Sequence, residues 1–249
     1  MKEIELIIDL HKNSERQGPG SKNDTLKALG FMDLPNDQKL KVADIGCGSG
    51  GQTIMLAQNL NAQIIAVDLF PDFLNELNQK SLKLGLSEKI STLEKSMEDL
   101  PFGTEEFDII WSEGAIYNMG FENGIRKWKE YLKVSGFLAV SELTWTSDSR
   151  PQEIDDFWTK EYPEIDTASN KIMQLEHHGF SLVGFFFLTQ DSWMQNYYDP
   201  MKAKFDTFLN RNSNSKLAQK IVSEYQREIE IYMRYQEYFS YGFYVVRKN

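Results

Sequence analysis

Two hydrophobic patterns alternate along the chain. Short runs of apolar, largely β-branched residues mark buried strands, and stretches with an apolar side chain every three or four positions mark helices with one buried face. This reading predicts strands over residues 41–45, 64–68, 90–93, 107–111 and 136–140. Helices are predicted over 51–60, 71–84 and 125–132, the second opened by Pro71 in its first turn and closed by Gly85. Strands and helices in regular alternation point to an α/β sheet with helices on its faces.

The alternation stops after Leu143. Helices are expected over 151–162 and 167–178, then a strand with a heavy aromatic load over 180–188. A long helical stretch over 200–238, broken by the polar run at 210–215, leads to a terminal strand at 241–247. Residues 1–30 read as helices that precede the core and are separated by Gly18-Pro19-Gly20.

Composition narrows the class. With 249 residues the chain can bury a core of its own, and 41% hydrophobic with 26% charged residues argues against disorder. Cys47 is the sole cysteine, so neither a disulfide framework nor a multi-cysteine zinc site is available, and no metal is expected. The longest apolar stretch, at 180–188, is too short for a bilayer. The start, Met1-Lys2-Glu3-Ile4-Glu5, has alternating charge and no signal-like apolar run. The expectation is therefore a cytoplasmic protein with no membrane partner. A net charge of −10, with the acidic excess spread over the chain, disfavours nucleic acid as a partner.

Asp44-Ile45-Gly46-Cys47-Gly48-Ser49-Gly50-Gly51 is the segment most informative about chemistry. A glycine turn between strand and helix brings backbone close to a ligand and is expected to leave free N–H groups at the helix start. Gly46, Gly48 and Gly51 match the dinucleotide spacing G-x-G-x-x-G, whereas Gly46, Gly48 and Gly50 match G-x-G-x-G. Asp68, at the end of the second strand, stands where a carboxylate binds ribose hydroxyls in either case. Asp44 separates the two: inside the strand, it suits an ammonium group or a water network and would repel a pyrophosphate. Ser96-Met97-Glu98-Asp99-Leu100-Pro101-Phe102 and the end of the fourth strand add two more loops at the strand ends where open α/β sheets bind ligands.

In this order Asp44-x-Gly46-x-Gly48-x-Gly50, Asp68, Glu98-Asp99-Leu100-Pro101-Phe102, Phe107-Asp108 and Lys133-Val134-Ser135-Gly136-Phe137 resemble the class I S-adenosylmethionine-dependent methyltransferases. The flavour is similar to the small-molecule branch that includes the ubiquinone/menaquinone methyltransferases. The resemblance covers about 42–143. It implies a Rossmann-like seven-stranded sheet with an antiparallel last strand, helices on both faces and a helical cap. It would make 1–249 a single methyltransferase domain, with 1–30 as an N-terminal cap element and 190–240 as a helical lid insertion. The implied cofactor is S-adenosylmethionine, with S-adenosylhomocysteine as product, and the implied partner a small-molecule acceptor, on a monomer or homodimer.

The resemblance also assigns residues. Gly46, Cys47 and Gly48 would contact the methionine part through backbone, with Asp44 and Gln52 nearby, and Asp68 would grip the ribose. Leu69 and Met97 would flank the adenine, whose amine falls to Ser96 or Glu98 because Ser96 stands where the family often has Asp. Glu113 and Gly114 would line the methyl-transfer region, and Gly18 belongs to a loop at 16–21 that resembles an element closing over the cofactor in some relatives. In-line methyl transfer needs alignment and desolvation more than a triad. Glu113 and Tyr117 are the candidates near the methyl, Tyr117 being read equally well as a packing aromatic.

Other features have plainer readings. His177-His178 lies where histidines complement a helix end. Cys47 fills a turn that wants a small side chain, and Glu230 with Arg234 reads as a solvated i,i+4 pair. Phe185, Phe186 and Phe187 read as core, whereas Trp193, Tyr197 and Tyr198 sit in a loop-like context and read as lid residues over the substrate. Two further functions stay open on the residues alone: a module that binds S-adenosylmethionine or another nucleotide without catalysis, and an NAD-dependent dehydrogenase using Gly46, Gly48 and Gly51.

Overall fold

The computed structural model describes residues 2–35 and 38–249. Two helices, α1 (Glu3–His11) and α2 (Lys22–Leu29), precede the sheet. Then follow β1 (Leu40–Ile45), α3 (Gly51–Asn59), β2 (Ala62–Asp68), α4 (Pro71–Lys83), β3 (Ile90–Glu94) and β4 (Phe107–Glu113). A 3-10 turn at Ile116–Met119 leads to α5 (Phe121–Lys129), β5 (Leu132–Trp145), α6 (Gln152–Glu161), the two-residue β6 (Asp166–Thr167), α7 (Ala168–His177) and β7 (Phe180–Phe187). Before the final strand come α8 (Gln190–Trp193), a π-helical turn at Met194–Tyr198, α9 (Asp199–Lys202), α10 (Phe205–Arg211) and α11 (Lys216–Tyr235), then β8 (Phe239–Lys248).

Strands run in the order β3-β2-β1-β4-β5-β8-β7, with β6 paired to β5. Neighbours from β3 to β5 are parallel, and β8 is antiparallel to both β5 and β7. The expected antiparallel last strand is thus present, slotted between β5 and β7, and β6 is an unforeseen eighth strand. The parallel strands are covered on both faces, which is why β1, β4 and β5 read as near-continuous apolar runs. One face buries Val42, Ile64, Ile109 and Trp111 against α2, α3 and α4, and the other buries Ile110, Leu138 and Val140 against α5 and α7.

Local chemistry sets the helix starts. Ser21 accepts from the Asp24 N–H at 3.0 Å, Thr167 from Asn170 at 3.3 Å and Ser215 from Ala218 at 3.3 Å. Strand β5 is far longer than the pattern at 136–140 suggested. Its extra C-terminal residues, Leu143 and Trp145, join a third core built with α1 and the helices after β7.

That third core corrects one expectation. Trp193 and Tyr198 are not in a loop: they lie in continuous helix, 2% and 0% exposed, where Trp193 stacks on Tyr241 and Tyr232. The helical stretch begins at Gln190, ten residues before the predicted start, because the polar positions there alternate with apolar ones that face β8. Phe186 is core as expected, stacked on Phe243. Arg234 reaches Glu153 of α6 at 3.2 Å instead of pairing along its own helix with Glu230. Among the described residues no helix is long and apolar enough to cross a membrane.

Candidate functional site

The C-terminal ends of β1, β2 and β4 open on one cavity of about 400 Å³. The glycine turn after β1 forms its floor. Gly46, Gly48 and Gly50 all have positive φ, and a Cβ on Gly48 would come within 2.1 Å of the Gln17 Oε1. The turn is fastened to β2: Gly46 and Cys47 donate their N–H groups to the Val67 carbonyl at 2.8 and 2.9 Å. Gly48 donates to the Asp68 carboxylate at 2.8 Å, Ser49 to Gln17 at 2.8 Å, and Gly50 to the Cys47 carbonyl at 3.0 Å. The expected free N–H groups of the turn are therefore engaged within the protein from Gly46 to Gly50, because the chain turns tightly enough to meet β2 and the N-terminal loop.

Asp68 lies between the turn and the cavity. Its other carboxylate oxygen accepts from the Phe70 N–H at 3.0 Å, and each oxygen keeps a lone pair for a ligand hydroxyl. Burial raises its pKa above the usual carboxylate range, opposed by backbone N–H bonds from Phe70 and Gly48. Asp44, by contrast, does not reach the cavity. It is fully buried behind the turn, accepting from Thr53 Oγ1 at 2.5 Å and from Gln52 Nε2 at 3.2 Å. Burial drives its pKa up to about 7, against the bonds from Thr53 and Gln52. Gln52 also donates to the Cys47 carbonyl at 3.3 Å, so Asp44 braces the floor through Gln52.

The other sequence candidates meet on this cavity. Gly18, Cys47, Gln52, Leu69, Ser96, Met97, Glu98, Glu113, Gly114 and Tyr117 all line it. Ser96 Oγ accepts from the Glu98 N–H at 3.2 Å and shapes the loop after β3. Desolvation pushes the buried Cys47 thiol well above its ordinary value, so no thiolate is available there. Glu113 is the last residue of β4, and its carboxylate is fully engaged. It pairs with Arg16 and accepts from Thr25 Oγ1 and Trp111 Nε1, both at 2.8 Å. Tyr117 borders the cavity with 44% of its surface accessible, and surrounding protein with Glu142 and Glu228 raises its phenol pKa.

Arg16 and Gln17 also line the cavity, and sequence spacing did not single them out. Arg16 is 7% exposed and bonds Thr25 Oγ1 at 3.0 Å and the Ser21 carbonyl at 3.2 Å besides Glu113. Residues 16–19 of the loop at 16–21 form part of the cavity wall. The resemblance pointed to this loop but not to the ion pair, since Arg16 and Glu113 are 97 positions apart. His177 and His178 lie at the far end of α7, His178 bonding Glu122 at 2.9 Å, in keeping with a helix-end role.

Residues 42–136 match the family model described as methyltransferase domain. A probable tocopherol O-methyltransferase of Oryza sativa is 34% identical over 89 residues, covering 34% of this chain and 25% of that protein. A demethylmenaquinone methyltransferase of Bacteroides fragilis is 31% identical over 115 residues, covering 45% and 46%. The chain thus spans between a quarter and a half of these curated relatives. A SAM-dependent methyltransferase from Geobacter sulfurreducens, solved with S-adenosyl-L-homocysteine, superposes with a TM-score of 0.85 over 98% of both chains at 15% identity. Residues 42–136 thus carry a methyltransferase domain, on a sheet whose fold the solved methyltransferase shares.

Proposed function

We propose that this protein transfers a methyl group from S-adenosylmethionine to a small-molecule acceptor. The observation that carries the reading is the joint placement of the Gly46–Gly48 turn and the Asp68 carboxylate on one cavity, beside a turn whose N–H groups are already spent. Asp68 offers acceptors to a ribose diol. Gly46, Cys47 and Gly48 would hold the amino-acid end through backbone, Asp44 acting from behind through Gln52. Leu69 and Met97 would flank the adenine, with Ser96 or Glu98 toward its amine. When bound, the cofactor supplies a methyl on a sulfonium, a leaving group that needs no acid from the protein. The loop at 16–21 excludes water over it, held by the Arg16–Glu113 pair. Glu113 then acts as the anchor of that loop, and Tyr117 faces the acceptor side. Residues 190–240 would serve as the lid.

A dinucleotide reading fares worse on two observations. The turn has no free N–H from Gly46 to Gly50 to receive a pyrophosphate, and the sheet continues past β5 with antiparallel β8 rather than a second parallel half. Gly51, the third glycine of that spacing, is explained by packing: a Cβ there would meet the Glu15 carbonyl at 2.8 Å. Titration calorimetry with S-adenosylhomocysteine and with NAD tests the choice. Binding of the former alone is expected, and binding of NAD alone would overturn it. Release of S-adenosylhomocysteine across a panel of acceptors separates an enzyme from a binding module, the module being favoured if no acceptor gives release.

A further inference from the structure

Beyond Tyr117 the cavity wall continues into a second cluster. Tyr117, Tyr197, Tyr225, Tyr241 and Glu228 are surrounded by protein yet all keep surface open to water, as side chains around an enclosed space do. His11 joins Tyr225, which it bonds at 2.9 Å, to Tyr197, whose ring stacks on it at 6.1 Å; Tyr197 packs on Tyr198 at 5.1 Å, the hydroxyl of which donates to Glu228, and Tyr241 packs against the same core. Tyr225 and Glu228 share one face of α11 by their i,i+3 spacing. Tyr241 comes from β8 and borders Gly114, where a Cβ would meet its ring at 3.6 Å, and Gly114 and Tyr117 belong to the first cavity. The tyrosine chamber thus adjoins the site assigned to the cofactor.

Its charge is one-sided. Glu228 accepts from Tyr198 at 2.8 Å through one oxygen, and among the described residues its other oxygen takes no hydrogen bond. Glu142 is fully buried with Lys171 at 4.0 Å, both of its oxygens without a hydrogen-bond donor among the described residues, and burial raises its pKa to about 7. Burial raises the Glu228 pKa to about 6, so it is the chamber's negative charge at neutral pH. His11, bonded to Tyr225 at 2.9 Å, adds no positive charge at neutral pH, since burial lowers its pKa to about 4.

We propose that the acceptor is an amine, its nitrogen held among Tyr117, Tyr197, Tyr225 and Tyr241 with Glu228 as counter-charge. This rests on the methyltransferase reading above. Aromatic faces and a carboxylate both attract a cation. The choice over a hydroxyl acceptor follows from how charge moves in the reaction. A phenolate or alkoxide would have to form in the field of Glu228, a like charge that opposes it. An amine nitrogen gains positive charge as its lone pair forms the N–C bond, and that field favours it. The C–S bond breaks at the same time, its electron pair staying on sulfur to give the neutral thioether. An amine bound as its ammonium ion first gives one proton to the Glu228 carboxylate and on to water, which frees the lone pair, and the methylated product carries the positive charge.

The test is S-adenosylhomocysteine formation with primary, secondary and tertiary amines against phenols, hydroquinones and carboxylic acids, in wild type and Glu228→Gln. The expected result is turnover of amines at least tenfold above any oxygen acceptor in kcat/KM. Glu228→Gln should raise KM for amines at least tenfold while S-adenosylhomocysteine affinity, read by calorimetry, stays unchanged and reports an intact fold. Absence of amine turnover overturns the proposal whatever else is seen, and so does a Glu228→Gln variant with unaltered amine KM. Turnover confined to oxygen acceptors would leave the methyltransferase reading standing, and failure of S-adenosylhomocysteine to bind wild type would remove that reading itself.

Discussion

At the scale of single residues, Asp68 has a double duty. It holds the Gly48 and Phe70 N–H groups and still faces the cavity, so it fixes the turn and offers acceptors to a ligand. Asp68→Ala should weaken S-adenosylhomocysteine binding by roughly 1.5–3 kcal/mol through loss of charge-assisted hydrogen bonds. That is a loss of about 10- to 150-fold in Kd by calorimetry, and an unchanged Kd would remove the ribose assignment. Asp68 was legible because a carboxylate at a strand end, a fixed distance after a glycine turn, has few structural uses. Asp44 was legible as a residue out of place but not in its contacts. Whether a buried carboxylate looks into a cavity or away from it depends on Thr53 and Gln52, two positions on the next helix that no spacing rule links to it.

At the scale of elements, the N-terminal segment is tied to the sheet by polar contacts. Arg16 and Glu113 form a buried ion pair, and removing one partner of such a pair leaves an uncompensated charge at a cost of roughly 3–5 kcal/mol. Arg16→Met should therefore lower unfolding free energy by about that amount in denaturant titration. Adding Glu113→Gln should restore most of it, because the orphaned charge is gone. The double variant should still release S-adenosylhomocysteine faster than wild type in stopped flow, since the loop at 16–21 has lost its anchor. Equal release rates would mean that the loop does not cover the ligand. The helices after β7 show the limit of pattern reading in the other direction. Trp193 and Tyr198 stand among Gln, Asn and Asp, and only the docking of that segment on β8 turns an apparently polar stretch into core.

At the scale of the whole molecule, the strand alternation up to Leu143 was readable because parallel strands buried on both faces leave continuous apolar runs. That the last strand runs antiparallel was readable only through the resemblance, and its place between β5 and β7 was not readable, since a strand's sequence does not say which neighbours it pairs with. The fold also stores a pH response that no single element shows. Asp44 and Glu142 are held by burial at about 7, far above their values in an unfolded chain. A raised carboxylate keeps its proton in the folded state while the unfolded chain has lost it, so stability falls as pH rises from about 4 toward 7. His11 acts in the opposite sense: buried and lowered to about 4, it costs stability as pH falls below 6.5. The two carboxylates outweigh the one histidine, and the histidine's contribution is nearly absent above its unfolded value. The melting temperature of the ligand-free protein should accordingly be higher at pH 6 than at pH 8 by scanning calorimetry. In an Asp44→Asn, Glu142→Gln double variant that difference should shrink, chiefly through a gain at pH 8, because neither amide must ionise or hold a proton. A wild-type melting temperature that is level or rises from pH 6 to pH 8 would show that these two side chains are not buried as carboxyl groups.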